Sequence, residues 1–366
     1  MEVLGLCSYP LEAACTRYRL IQYIAPLAER GINLTVLPFL NKEEFASLYL
    51  PGQTFRKAVG MLNAARKRLQ DSLKLNKFDV FLIQREAMIF GPPIFEWLYK
   101  TIGKCPLVLD LDDATYIPYI SPTYGRWVSA LKFFGKTDTL IEWAEIIICG
   151  NPYIADHVVE KGKKAVIVPT VVDTEKFCPI EKSVKQPPRI GWIGTHSTFP
   201  SLETLFSVLQ DLARKYEFTL KIVGAGRDKI RVNGVRVENL AWTLDREIED
   251  FQSLDIGLYP LEETELVSKE WLMGKSGFKA IQYMSVGIPF VVTPVGVCTE
   301  IGIENETHFA ASTKEQWYKA LAKLLESIER RGKMGEAGRR YSLKHYTVPQ
   351  QTDKIADVLH EAVENF

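Results

Sequence analysis

Short apolar runs alternate with helix-period stretches through nearly the whole chain, and the pattern restarts once. In the first half the spacing predicts strands at 2–7, 33–38, 79–84, 106–110, 145–149 and 165–168. Helices are predicted between them at 16–29, about 54–75, 92–102, 124–143 and 151–161. The second half gives strand 189–193, helix 200–214, strands 218–223 and 235–237, helix 246–252, strand 255–258, helix 277–286 and strand 289–292. Strands alternating with helices imply a mainly parallel sheet covered on both faces. A chain of 366 residues exceeds one ordinary core, so two doubly wound α/β domains are expected. The polar, proline-bearing stretch 173–188, DTEKFCPIEKSVKQPP, cannot hold a long regular element. The reading is therefore a first domain at 1–172, a linker at 173–188 and a second domain at 189–340. The tail, 341–366, gives a turn and an amphipathic helix expected to cross back to the first domain. Such a pair places a cleft between the carboxyl ends of two sheets, where these folds bind ligands.

Charge narrows the function. Forty-five basic and 45 acidic residues balance, which argues against a nucleic-acid partner. Six scattered cysteines form no CxxC pair and have no histidine at ligand spacing, so no metal site is expected and a reducing cytoplasm is. The opening MEVLGLCSYP reads as a strand rather than a signal peptide, and no run approaches the roughly 20 apolar residues needed to span a bilayer.

Residues 274–296, GKSGFKAIQYMSVGIPFVVTPVG, carry the strongest local signal. Gly274, Ser276 and Gly277 make a loop with little side chain to obstruct a ligand, and Phe278, Ile281, Gln282 and Met284 follow at helical spacing. Gly287 and Pro289 end that helix before the buried run Phe290-Val291-Val292. A glycine loop entering a helix presents backbone N–H groups and the positive end of the helix dipole to an anion. Lys275 and Lys279, four apart, would lie on one side of the first turn and add two charges. The plainer reading is a turn followed by a surface helix with solvated lysines. Upstream, RIGWIGTHST ends a buried strand at Ile193, and Gly194, Thr195, His196 and Ser197 follow at its carboxyl end. Ser197, Thr198 or Ser201 is alternatively a helix cap. Gly224 and Gly226 in KIVGAGRDK begin a dinucleotide fingerprint that fails at Lys229.

The ordered set of Pro169–Asp173 with Phe177, IGWIGTHST, LKIVGAG, DIGLYPL and the 274–296 segment resembles the retaining GT-B glycosyltransferases of family four. The first domain is more loosely similar, through its opening strand with RYRLIQY and through VLDLDDATY. The resemblance implies a GT-B fold, two Rossmann-like domains facing across a cleft. It implies transfer of a sugar from a nucleotide-diphosphate donor (UDP-, GDP- or ADP-linked) to a glycan or lipid-linked hydroxyl, with anomeric configuration retained and no metal cofactor. Donor contacts would come from Gly194, Thr195, His196, Ser197, Ser276, Gly277, Phe278 and Gln282, and diphosphate stabilisation from Lys275 and Lys279.

Two departures stand out. The family often has an arginine after the first glycine and a lysine soon after, where this chain has Thr195 and Ser201; Lys275 and Lys279 would take over that charge. Of the family's two glutamates, the later falls on Gln282 and the earlier on Gly274, with Glu270, Glu265, Glu263 and Glu262 as the nearest upstream carboxylates. The rival readings are a non-catalytic sugar-nucleotide-binding subunit and a sugar-nucleotide epimerase.

In the first domain Asp110, Asp112 and Asp113 gather where a strand emerges. Asp112 or Asp113 would orient or deprotonate the acceptor hydroxyl; the alternative is a turn held by aspartate caps. Arg85 and Arg17 or Arg19 are their candidate partners on the acceptor side. Residues 53–78 hold Arg56, Lys57, Arg66, Lys67, Arg68, Lys74 and Lys77 beside an apolar stripe of Phe55, Val59, Leu62, Leu69 and Leu73. This helix rests either on an anionic membrane, as a peripheral contact, or on its own domain with the basic face in water.

Overall fold

The computed structural model describes residues 1–48, 52, 54–120, 125, 129, 131–181, 187–264 and 267–366. The chain divides into two compact units: Met1–Thr170 with Leu266–Ser276 and Val348–Phe366, and Val171–Glu265 with Gly277–Thr347. This differs from the division read from sequence, because Leu266–Ser276 interrupts the second unit and groups with the first.

The first unit is built on strands β1 (Glu2–Cys7), β2 (Asn33–Pro38), β3 (Val80–Gln84), β4 (Leu107–Leu111), β5 (Ile146–Cys149) and β6 (Lys164–Ile167). All are parallel, in the order β2-β1-β3-β4-β5-β6. β3, β4 and β5 are buried along their whole length, as the central strands of a sheet covered on both faces must be. On one face Ile355, Ala356, Leu359 and Ala362 of helix Val348–Glu364 join a core with Val3, Leu20 and Ile148. The helix predicted at 16–29 is broken: Ala14–Arg19, a short 3-10 turn at Ile21–Tyr23, and Ile24–Ala28. Leu20, with φ −125° and ψ −59°, is the break. Within the helix predicted at 124–143, the structure describes a helix at Lys136–Trp143, and residues 124, 126–128 and 130 lie outside the described ones.

The second unit carries β7 (Arg189–Ile193), β8 (Thr219–Val223), β9 (Arg236–Leu240), β10 (Ile256–Tyr259), β11 (Phe290–Val292) and β12 (His308–Ala310). They too are parallel, in the order β12-β11-β10-β7-β8-β9. The strand direction of winding reverses between β7 and β10, which makes the space beyond their carboxyl ends the switch point of a doubly wound sheet. β12 was not anticipated from sequence. Two parallel six-stranded sheets with flanking helices make this the GT-B fold class, with Rossmann-like units.

Candidate functional site

Within the second unit, the site begins where β7 ends. A Cβ on Gly194 would lie 2.3 Å from the Trp192 ring, and one on Gly224 would lie 2.2 Å from the Gly194 carbonyl oxygen. Only glycines let the two strand ends approach so closely, and Gly224 has a φ of +83° as well. The loop hydroxyls bond one another: Thr195 Oγ1 to Ser197 Oγ at 2.8 Å, while the Thr195 amide donates to Thr198 Oγ1 at 3.2 Å. Thr198 makes no side-chain cap on helix Phe199–Glu203 and Ser201 lies inside that helix, so the capping role suggested for them is not taken up. His196 packs beside Gly226; burial and the neighbouring Arg227 hold its imidazole pKa below the ordinary histidine value.

Across the switch point, helix Phe278–Ser285 starts at Gly277, whose φ of +64° places it in the left-handed region. A Cβ there would strike Ile301 at 2.2 Å. With glycine at the cap, no side chain closes the amino-terminal end of the helix dipole. The other end is a Schellman motif: Gly287 N donates to the Met284 carbonyl at 3.0 Å and Ile288 N to that of Tyr283 at 3.1 Å. Lys279, in the first turn, holds its ammonium 5.3 Å from the centre of the Tyr259 ring, at the end of β10. Gln282, one turn on, is only 4% exposed, yet its amide has no hydrogen-bond partner among the described residues. Its polar atoms are not among those sealed from water without a partner, so the amide stays open to a polar ligand group, to which it can both donate and accept.

Lys275 does not share that turn. The helix begins three residues later, and the boundary between the units falls between Ser276 and Gly277, so Lys275 and Ser276 group with the first unit. Lys275 Nζ lies 3.4 Å from Asp113 Oδ2 and 3.3 Å from the centre of the Trp271 ring. Burial lowers its pKa, Asp113 opposes the shift, and the Arg85 guanidinium adds to it; the net direction is down. Its carbonyl accepts from Asn151 Nδ2 at 3.0 Å, and Asn151 also caps helix Pro152–Glu160. Gly274, the position of the family's earlier glutamate, is pressed against Ala114: a Cβ would sit 2.2 Å from the Ala114 Cβ. Packing excludes any side chain there. Glu270 and Glu263 are exposed, and Glu265 lies outside the described residues.

The three aspartates are not equivalent. Asp110 is buried and bound by Arg19, whose Nε donates at 2.9 Å and whose Nη2 donates to the other carboxylate oxygen. Arg19 Nη1 reaches the Val168 carbonyl at 2.6 Å, so this guanidinium is spent inside the unit. Arg19 is therefore a core residue rather than an acceptor contact, and Arg17 is turned to the carbonyls of Leu11 and Glu12. Arg85 takes the other two: Nε to Asp112 Oδ1 at 2.5 Å, Nη2 to Asp112 Oδ2 at 2.7 Å and to Asp113 Oδ2 at 2.7 Å. Gln84 Nε2 adds a bond to Asp112 Oδ1 at 2.9 Å. Burial alone would raise the Asp112 pKa, but Arg85 outweighs it and the carboxylate titrates below its ordinary value. Arg85 carries a φ of +60°, rare outside glycine, and its amide is fixed to the Asp110 carbonyl at 2.8 Å. Strain of this kind collects at functional sites. Among the described residues no cluster of metal-ligating side chains is gathered.

Sequence reasoning missed Gln84, Asn151 and Trp271. Asn151 was legible as an asparagine before a proline at a helix start; Gln84 and Trp271 had no local signal.

Residues 187–327 match the family described as "Glycosyl transferases group 1". No curated protein sequence matches the chain significantly. Solved structures match its whole length in fold. A glycosyltransferase from Rickettsia africae aligns with a TM-score of 0.69 at 12% identity, covering 100% of this chain and 99% of its own. Sucrose-phosphate synthase from Thermosynechococcus elongatus gives 0.69 at 11%, with 100% of both chains covered. Anabaena HepE in complex with UDP-glucose gives 0.68 at 12%, with 99% and 100% covered. Residues 187–327 thus resemble the group 1 glycosyl transferases in sequence, on a chain whose two units have the GT-B fold.

Proposed function

We propose that this chain transfers a hexosyl-type sugar from a nucleotide-diphosphate sugar to a hydroxyl of a glycan or lipid-linked acceptor, with retention at the anomeric carbon. The observation that carries the reading is helix Phe278–Ser285. Within the segment matched to group 1 glycosyl transferases, it combines an uncapped start at Gly277, the Lys279 ammonium and the unpartnered Gln282 amide. Helix-start amides and an ammonium suit a diphosphate, and a side-chain amide that both donates and accepts suits ribose hydroxyls. Gly194, Thr195, His196 and Ser197 supply the β7 side of the same switch point. In the transfer, the bond from the anomeric carbon to the diphosphate oxygen breaks and a bond to the acceptor oxygen forms. The acceptor proton passes to the leaving diphosphate. Lys279 and the helix start stabilise the charge that develops on that leaving group.

UDP is the first nucleotide to test, since the HepE structure holds UDP-glucose. The experiment is a thermal-shift series of the intact chain with UDP, GDP and ADP and their sugars, followed by NMR of the product's anomeric proton. A rise in Tm with one base only, and product of unchanged anomeric configuration, is expected. Failure of every nucleoside diphosphate to raise Tm refutes the reading. A second reading, binding without turnover, is favoured by Gly274, where packing forbids the carboxylate expected from the resemblance. It predicts a Tm shift with no transfer to any acceptor.

A further inference from the structure

Helix Thr54–Asp71 presents a second apolar face to water besides the one that covers its domain. A helix covering its domain turns its apolar stripe inward and its charges to water. Here Ala64 and Arg68 point inward, and the Arg68 guanidinium donates to the carbonyls of Leu37 at 2.9 Å, Cys7 at 3.0 Å and Ala87 at 3.2 Å. Met61 and Ala65 also pack on the core, but the larger apolar residues face out: Phe55 is 83% exposed, Leu62 71%, Leu69 55% and, in the turn that follows, Leu73 84%. With the partly exposed Val59 and with Arg66 they run at intervals of three and four, which makes one straight ridge along the helix. Scattered exposed leucines are ordinary; a continuous ridge of this length on a basic helix is a contact surface.

The charges identify the occupant. Arg66 lies in the ridge and Arg56 and Lys67 along its flank, all exposed, and none forms an ion pair among the described residues. The helix's one acid, Asp71, is spaced to lie on the inward side with Ala64 and Arg68; Glu43 and Glu44 line a pocket with Arg56 and Val59 at the start of the helix, which leaves Arg66 and Lys67 further along without a nearby acid among the described residues. A second copy meeting this face about a two-fold axis would set Arg66 and its neighbours against themselves. Anionic headgroups would neutralise them, while the ridge enters the acyl boundary and the long basic side chains reach back to the surface.

We propose that the Thr54–Leu73 ridge docks the first unit on an anionic lipid surface, lying in the interface without crossing it. Among the described residues no helix is long and apolar enough to span a membrane. The docking is independent of sugar transfer and is read without any nucleotide. The test is co-sedimentation of the full chain with vesicles of phosphatidylglycerol and phosphatidylcholine in equal parts, against vesicles of phosphatidylcholine alone. Binding to the mixed vesicles, weakened by salt, is expected. Leu62→Ser with Leu69→Ser should weaken it roughly tenfold or more through lost apolar area, with Tm unchanged because both side chains are in water. Arg66→Gln with Lys67→Gln should weaken it by roughly 25-fold, at about fivefold per charge, and leave binding to neutral vesicles as it was. The proposal falls if the chain ignores both vesicles, binds them equally, or is indifferent to all four substitutions. It falls also if sedimentation shows a dimer that the leucine changes dissolve while vesicles go unbound.

Discussion

Gly274→Ala is a one-carbon test of why this loop position carries no side chain. The added Cβ would lie 2.2 Å from the Ala114 Cβ, 3.2 Å from its amide nitrogen and 3.3 Å from its Cα. Carbon atoms at rest stand about 3.5–4.0 Å apart, so the loop or residue 114 has to retreat by more than an ångström. The loop is held on both sides: the Gly274 amide donates to Glu270 at 3.1 Å, and the Lys275 carbonyl and ammonium are engaged by Asn151 and Asp113. Overpacking of this kind costs about 1–3 kcal/mol, and loosening one of those bonds adds about 1 kcal/mol, so roughly 3 kcal/mol is expected. Ala114→Gly alone, losing a buried methyl and gaining backbone freedom, should cost about 1–2 kcal/mol. Together they should cost clearly less than their sum, because the second change removes the nearest atom, giving a coupling of about 2 kcal/mol. Urea unfolding of the four proteins, followed by tryptophan fluorescence, measures the cycle. A Gly274→Ala protein as stable as its parent, or costs that simply add, would refute the steric account. Gly274→Glu should then be worse folded and no better a transferase.

Three further outcomes follow from the geometry. His308 is buried against Phe290, and burial pushes its pKa from 6.5 down to about 4. Its neutral form therefore supports the fold fully above pH 6.5, and up to ~3 kcal/mol is lost as pH falls towards 4; His308→Asn should flatten this part of the pH–stability curve. Arg19→Met strands the buried Asp110 carboxylate and should cost about 3–5 kcal/mol, with partial recovery on adding Asp110→Leu, measured by thermal unfolding. Lys279→Ala should weaken UDP binding roughly 10- to 100-fold in calorimetry; an unaltered affinity removes Lys279 from the diphosphate site.

Every strand predicted from the sequence is present, because the central strands are short apolar runs and all of them alternate with helix-period stretches bounded by turn residues. His308–Ala310 escaped because three residues make too short a run to read. Helix ends fared worse. The break at Leu20 shows in a backbone angle rather than in composition, and Lys275 looked helical by spacing although Gly277 starts the helix after it. The glycine loop, Lys279 and Gln282 were legible because helix-start chemistry is local. The arginine partners of the aspartates were also named from sequence: Arg85 pairs with Asp112 and Asp113, and Arg19 with Asp110 across 91 positions. Lys275 was not, since it reaches Asp113 across 162 positions and was read instead as part of the helix start. Spacing named those arginines and missed the lysine. It left open which way helix Thr54–Asp71 faces, because an amphipathic pattern fixes the stripe and not what covers it.

The pairing also decides which carboxylate is chemically useful in the proposed transfer. A general base must hold a lone pair towards its substrate at a pKa near the working pH. Asp112 meets neither condition: both oxygens are bound by Arg85, Gln84 donates to one of them, and its pKa is driven down. Asp113 is bound through Oδ2 alone, shared between Arg85 and Lys275, and its side chain is 22% exposed. Asp112 thus positions Arg85, while Asp113 retains an oxygen to orient an acceptor hydroxyl. Asp113→Asn should then lower kcat with a smaller loss of Tm, because an amide keeps the shape but removes the counter-charge that Lys275 and Arg85 share. Asp112→Asn should lower Tm, because it leaves Arg85 short of its counter-charge in a left-handed backbone. Equal effects of the two substitutions on both quantities would show that the two carboxylates act as one group.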